Sequence, residues 1–77
     1  MFRPFRALRK RALDYDISTG PELTAFLCEV LGRGREYVYH RLSRKKPWTF
    51  AEANLIADEL NIPREEWAEY FWPEEVL

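Results

Sequence analysis

The sequence predicts an all-α fold, a compact bundle of about five short helices containing a helix-turn-helix. Three observations carry this. Apolar residues recur at three- and four-residue steps between successive turn signals. Two Thr-x-x-Glu capping boxes, Thr19 to Glu22 and Thr49 to Glu52, mark helix starts. Alternating apolar and polar residues never persist long enough for a strand, and no Asn-Gly or Asp-Gly hairpin is present. At 77 residues the chain has the length of one domain, spanning 1–77.

Pro4 fits the first turn of helix one, whose inner face is predicted to hold Phe5, Leu8, Ala12 and Tyr15, with Arg3, Arg6 and Lys10 opposite. The box at Thr19, with Pro21 in its first turn, opens helix two. Leu23, Phe26, Leu27, Val30 and Leu31 make its apolar stripe, and Gly32-Arg33-Gly34 ends it. Helix three runs from Arg35 to Ser43, with Val38 and Leu42 inward. Thr49 opens helix four, where Phe50, Ala53, Ile56, Ala57 and Leu60 face the core and Asn61 is the stop. Pro63 starts helix five, which caps the core with Trp67, Tyr70 and Phe71 and ends at Pro73.

Several function classes are excluded by what the chain lacks. Cys28 is the only cysteine and His40 the only histidine, so neither an internal disulfide nor a Cys/His zinc site can be assembled. If Cys28 lies on the buried side of helix two, it cannot pair with His40 as a nucleophile. The carboxylate pairs Asp14/Asp16, Glu65/Glu66 and Glu74/Glu75 have no second catalytic group beside them. We therefore expect no enzyme activity, no metal, no cofactor and no small-molecule substrate. No apolar run reaches membrane-spanning length, and the basic start does not lead into an apolar signal core, so the expected setting is cytoplasmic with no membrane partner.

Charge is near balance, 12 basic against 13 acidic residues, but it is distributed in blocks. Residues 1–13 and 32–50 are basic, whereas 14–31 and 51–77 are acidic. At physiological salt the Debye length is about 8 Å, so a docked polyanion responds to the local block rather than to the net charge. The second basic block coincides with the helix-glycine turn-helix stretch from Leu27 to Leu42. A short turn there holds two helices at a steep angle, the small Cys28 permits close approach, and Val38 and Leu42 fix the second helix. On a helical wheel, Glu36, Tyr37, His40, Ser43 and Arg44 point away from the core, with Tyr39 and Arg41 at the margins and Arg35 at the N-terminal end. These are polar and aromatic groups of the kinds that reach base edges and phosphates.

The stretches Glu22-Leu23 through Leu31-Gly32, Arg35 through Ser43, Lys46-Pro47-Trp48-Thr49-Phe50-Ala51-Glu52-Ala53, and Ile56 through Pro63 resemble the lambda-repressor-like DNA-binding domains of phage repressors, Cro-like proteins and small bacterial regulators. The resemblance covers about residues 5–71, and its most diagnostic phrase is Pro-aromatic-Thr-hydrophobic-x-Glu-Ala. It implies a helix-turn-helix binding double-stranded operator DNA, with helix three in the major groove. By position, Arg35, Glu36, Tyr39 and His40 are then expected to contact bases, and Arg41, Arg44, Lys45 and Lys46 to contact phosphates. Helix two is about four residues longer than the family pattern, roughly 6 Å at the helical rise. Arg33 and Gly34 stand where relatives carry an apolar residue and a capping serine. Leu55, Trp72, Val76 and Leu77 exceed what one helical face can bury and are the expected self-association surface of a homodimer. The resulting expectation is a small phage or mobile-element transcriptional regulator. The competing expectation is a protein-interaction module, anti-repressor or antitoxin-like, that keeps the fold but uses its acidic, aromatic back.

Overall fold

Thr19 and Thr49 each accept a hydrogen bond from a backbone N–H three residues on, and Glu22 and Glu52 reach back to the capping backbone, completing both reciprocal boxes. These boxes start two of the five helices in the computed structural model, which describes residues 5–73. The helices are α1 (Arg6–Leu13), α2 (Gly20–Leu31), α3 (Arg35–Leu42), α4 (Phe50–Leu60) and α5 (Trp67–Phe71), the last entered through a 3-10 turn at Arg64–Glu66. No strand occurs among the described residues. Among them, no helix is long and apolar enough to cross a membrane.

α2 packs on both α3 and α4, and α1 packs on α5. Each helix contributes to one core, with Leu8, Leu27, Val38, Ile56, Leu60 and Phe71 the largest fully buried side chains. Trp48, from the α3–α4 loop, is also buried there and meets Phe5 and Phe71 edge-on at ring-centroid distances of 6.0 and 6.4 Å. The partly buried Phe26, Cys28, Val30 and Leu31 flank the core, so only Leu23 and Leu27 of the α2 stripe are fully enclosed.

Four helices end in the same way. A residue with positive φ follows each, namely Asp16 (62°), Gly32 (64°), Arg44 (67°) and Asn61 (54°). The next N–H then bonds five residues back, Ile17 to Ala12, Arg33 to Cys28, Lys45 to His40 and Ile62 to Ala57, at 3.0 to 3.2 Å. This is the Schellman closure, which satisfies carbonyls left over at a helix C-terminus. Gly32 takes the left-handed state without the steric penalty of a Cβ, and a short polar side chain makes it accessible to Asn61. Arg44 takes the same state with no turn signal in the sequence to mark it.

The structure corrects several inward assignments. α1 ends at Leu13, so Tyr15 lies past it and is exposed. Its hydroxyl donates to the Leu60 carbonyl at 3.1 Å and accepts from Asn61 Nδ2 at 2.7 Å. Arg11 joins it, donating to the carbonyls of Leu60 and Asn61 at 2.9 and 2.6 Å, so a cation serves the negative end of α4. Phe50 sits in the first turn of α4 and is 55% exposed, covering Trp67 on the surface rather than entering the core. The Pro4 assignment lies outside the described residues.

Leu42, which attaches the last turn of α3 to the core, provides the stability test. Leu42→Ala should lower the unfolding free energy by about 2–5 kcal/mol in chemical denaturation. An unchanged midpoint would show that α3 is not held through this side chain.

Candidate nucleic-acid interface

Val38 and Leu42 anchor α3 to the core, and the same geometry turns Arg35, Glu36 and Tyr39 outward. Tyr39 is 61% exposed, the most open large apolar side chain among the described residues. His40 and Ser43 are half-buried beside this face, and Ser43 Oγ donates to the His40 carbonyl at 3.3 Å. α3 starts from Gly34 with no side-chain cap, in contrast to the carboxylate-closed boxes of α2 and α4.

The corner after α3 carries Arg44, Lys45 and Lys46, all exposed. The left-handed backbone at Arg44 makes this corner, placing an arginine where glycine would be sterically cheaper. Arg44 Nη2 also approaches the Pro73 carbonyl at 3.5 Å. Arg33 is exposed at the α2–α3 turn, its guanidinium 4.8 Å above the Tyr37 ring.

Arg41 departs from its expected role. Its Nε donates to Glu52 Oε1 at 3.2 Å and its Nη2 to the Tyr37 hydroxyl at 2.7 Å, with the guanidinium 4.4 Å from the Tyr37 ring centroid. Only 12% of its side-chain surface is exposed. These contacts direct it toward α4 instead of toward a phosphate. Tyr37, assigned outward by the wheel, likewise turns to α4 and donates its hydroxyl proton to Glu52 Oε2. Burial alone would raise the Glu52 pKa, but the Thr49 N–H, the Tyr37 hydroxyl and the Arg41 guanidinium outweigh it and hold the carboxyl below its ordinary range. Burial alone would lower the Arg41 pKa; its bonds to Glu52 and Tyr37 raise it instead.

An open groove of about 710 Å³ runs along the outer side of α3, with α1 and the start of α2 forming the opposite wall. Arg9, Pro21, Thr24, Arg35, Glu36 and Tyr39 are among its lining residues. Glu22, at the start of α2, has its Oε1 occupied by the N–H and hydroxyl groups of Ser18 and Thr19 at 3.1 to 3.2 Å. The Thr19 and Ser18 hydrogen bonds hold the Glu22 carboxyl below its ordinary pKa.

Of the expected self-association residues, Leu55 and Trp72 are described, and both are exposed. Leu55 is 46% exposed on the outer face of α4. Trp72 instead folds toward the α3–α4 loop, donating its indole N–H to the Trp48 carbonyl at 2.9 Å and meeting Phe71 edge-on. Val76 and Leu77 lie outside the described residues. Among the described residues, no group of three or more His, Cys, Asp or Glu side chains is arranged to hold a metal ion. No family model matches the chain, and neither the curated proteins nor the solved structures contain a match.

The Glu52 contacts predict a signed pH response. A carboxyl whose pKa is depressed by folding contributes stability above its unfolded pKa and loses it as the pH falls through the folded value. The unfolding free energy should therefore decline below the ordinary carboxylate range. Glu52→Gln should cost about 1–3 kcal/mol at neutral pH and make that acid decline shallower. Parallel pH profiles for parent and variant would contradict the assignment.

Proposed function

We propose that the protein binds double-stranded DNA as a small phage or mobile-element transcriptional regulator, with α2 and α3 acting as a helix-turn-helix and α3 entering the major groove. The observation that supports this most directly is the division of α3 and its following corner. Val38 and Leu42 are buried, Arg35, Glu36 and Tyr39 face outward, and Arg44, Lys45 and Lys46 continue the exposed surface. In this reading Arg35 donates bidentately to guanine, Glu36 accepts from cytosine N4, and Tyr39 and His40 contact adjacent base edges. The corner cations meet phosphates, which orient the helix without reading sequence. The resemblance to lambda-repressor-like domains supports the same docking mode.

Repressor-like domains read two-fold operators as dimers, and the exposed Leu55 on α4 is available for such a contact. The alternative, a protein-interaction module, draws on a different observation. Leu55 shares the outer side of α4 with exposed Asp58 and Glu59, an acidic and partly apolar surface suited to a basic protein.

Salt-dependent binding to random duplex DNA separates the readings. DNA binding predicts that log K falls linearly with log salt, and replacing Lys45 and Lys46 with alanine should flatten the slope by up to about two units. Binding independent of salt, or a slope unaffected by both lysines, would contradict their phosphate role. Operator selection tests base reading separately. Arg35→Ala should lose about 1–3 kcal/mol on the best operator and much less on random DNA. Identical selected sites from parent and variant would show that Arg35 reads no base.

A further inference from the structure

We infer that Arg9, on α1, is a DNA-backbone ligand and that the groove between α1, the start of α2 and α3 seats one sugar-phosphate strand. This rests on the DNA-binding reading and adds a site along the groove that runs beside α3 from Arg35 to Ser43, ahead of the basic corner. A helix in the major groove is bordered by two backbones across a width of about 12 Å. Arg44, Lys45 and Lys46 are placed for one of them. The other must be met by whatever borders α3 on the α1 and α2 side.

A helix N-terminus is the usual source of anion-binding amides, but after Gly20 the start of α2 is poorly equipped for that task. Pro21 has no N–H, the Glu22 N–H is bonded to Thr19 Oγ1 at 3.2 Å, and the Leu23 N–H is bonded to the Thr19 carbonyl at 3.0 Å. The Glu22 carboxylate beside them adds negative charge. The cations lining this groove are instead Arg9 from α1 and Arg35 from the first turn of α3. With Arg35 engaged by a base edge in the DNA-binding reading, Arg9 is the cation of this groove placed for the backbone, and its planar donor fork suits phosphate oxygens.

The remaining lining favours a polymer over a free anion. Glu36 shares the groove and repels a small phosphate, whereas a strand brings sugars and base edges as well as charge. Pro21 and Thr24, on the wall facing α3, offer apolar surface against which a sugar can lie.

The test is the salt dependence of binding to random-sequence duplex DNA for the parent, Arg9→Gln, Lys10→Gln and Lys45→Gln, with thermal melting of each. Lys10 carries the same charge on the same helix but does not line the groove. Arg9→Gln should flatten the log–log slope by about one unit, as loss of one phosphate contact requires, while Lys10→Gln leaves it unchanged. An unchanged slope for Arg9→Gln beside a flattened one for Lys45→Gln would overturn the Arg9 site and leave DNA binding standing. Equal losses from Arg9 and Lys10 would also overturn it, marking a general charge effect. Absence of salt-dependent binding by the parent would overturn the DNA reading and this site together. Should Arg9→Gln fail to fold, amide shifts of the parent on adding the duplex decide the point. Shifts at Arg9 and Thr24 support the groove, and shifts confined to residues 35–46 overturn it.

Discussion

Glu52 occupies a position in which one carboxylate organises two neighbouring helices. It closes the capping box of α4 through the Thr49 N–H at 2.9 Å and accepts hydrogen bonds from Tyr37 and Arg41 of α3. At 8% exposure the charge would be costly without these partners. With them, the start of α4 and the flank of α3 become mutually dependent. Rotation of α3 about its axis would separate Tyr37 and Arg41 from Glu52 and leave a buried charge short of donors. The apolar anchors Val38 and Leu42 alone would tolerate small rotations, since hydrophobic burial is non-directional. The polar cluster supplies the direction, and the outward display of Arg35, Glu36 and Tyr39 follows from it.

The basic residues of the 32–50 block consequently do different work. Arg41 neutralises Glu52, and Arg33 lies over the ring of Tyr37, beside the same cluster. Arg35, Lys45 and Lys46 remain exposed to solvent. A near-neutral chain can thus keep a basic corner after α3 while Glu22 and Glu52 are held in caps and Asp58, Glu59 and Glu69 are displayed on α4 and α5. The Schellman closures fit the same division. The residue after the left-handed position is apolar and at least partly buried at Ile17 and Ile62, the common hydrophobic arrangement, but it is an exposed cation at Arg33 and Lys45. Those two closures flank α3.

Much of this architecture was legible from spacing. The Thr-x-x-Glu phrases located α2 and α4, Gly32 and Asn61 located two ends, and Val38 with Leu42 identified the buried side of α3. Local patterns of this kind depend on residues within one or two turns. The partnership of Arg41 with Glu52 depends on how α3 meets α4, so a wheel assigned Arg41 and Tyr37 by angle alone. Tyr15 and Arg11 were misplaced or passed over for the same reason, because their acceptor at Leu60 lies 45 or more residues away. Phe50 shows a different limit. Hydrophobic periodicity put it inward, yet the first turn of α4 opens onto the surface, where it meets Trp67 and Arg64. For the interface, charge clustering and outward geometry mark the basic corner of α3, while Arg9 emerges only when α1 is seen beside α3.

The central claim is that Glu52 and Arg41 hold the orientation of α3 together, and a double-mutant cycle measures this directly. Unfolding free energies of the parent, Glu52→Gln, Arg41→Gln and the double variant should yield a coupling of about 1–3 kcal/mol, with the double variant less damaged than the sum of the singles. Additivity within about 0.5 kcal/mol would show that the two side chains act independently and that Arg41 does not orient α3 through Glu52.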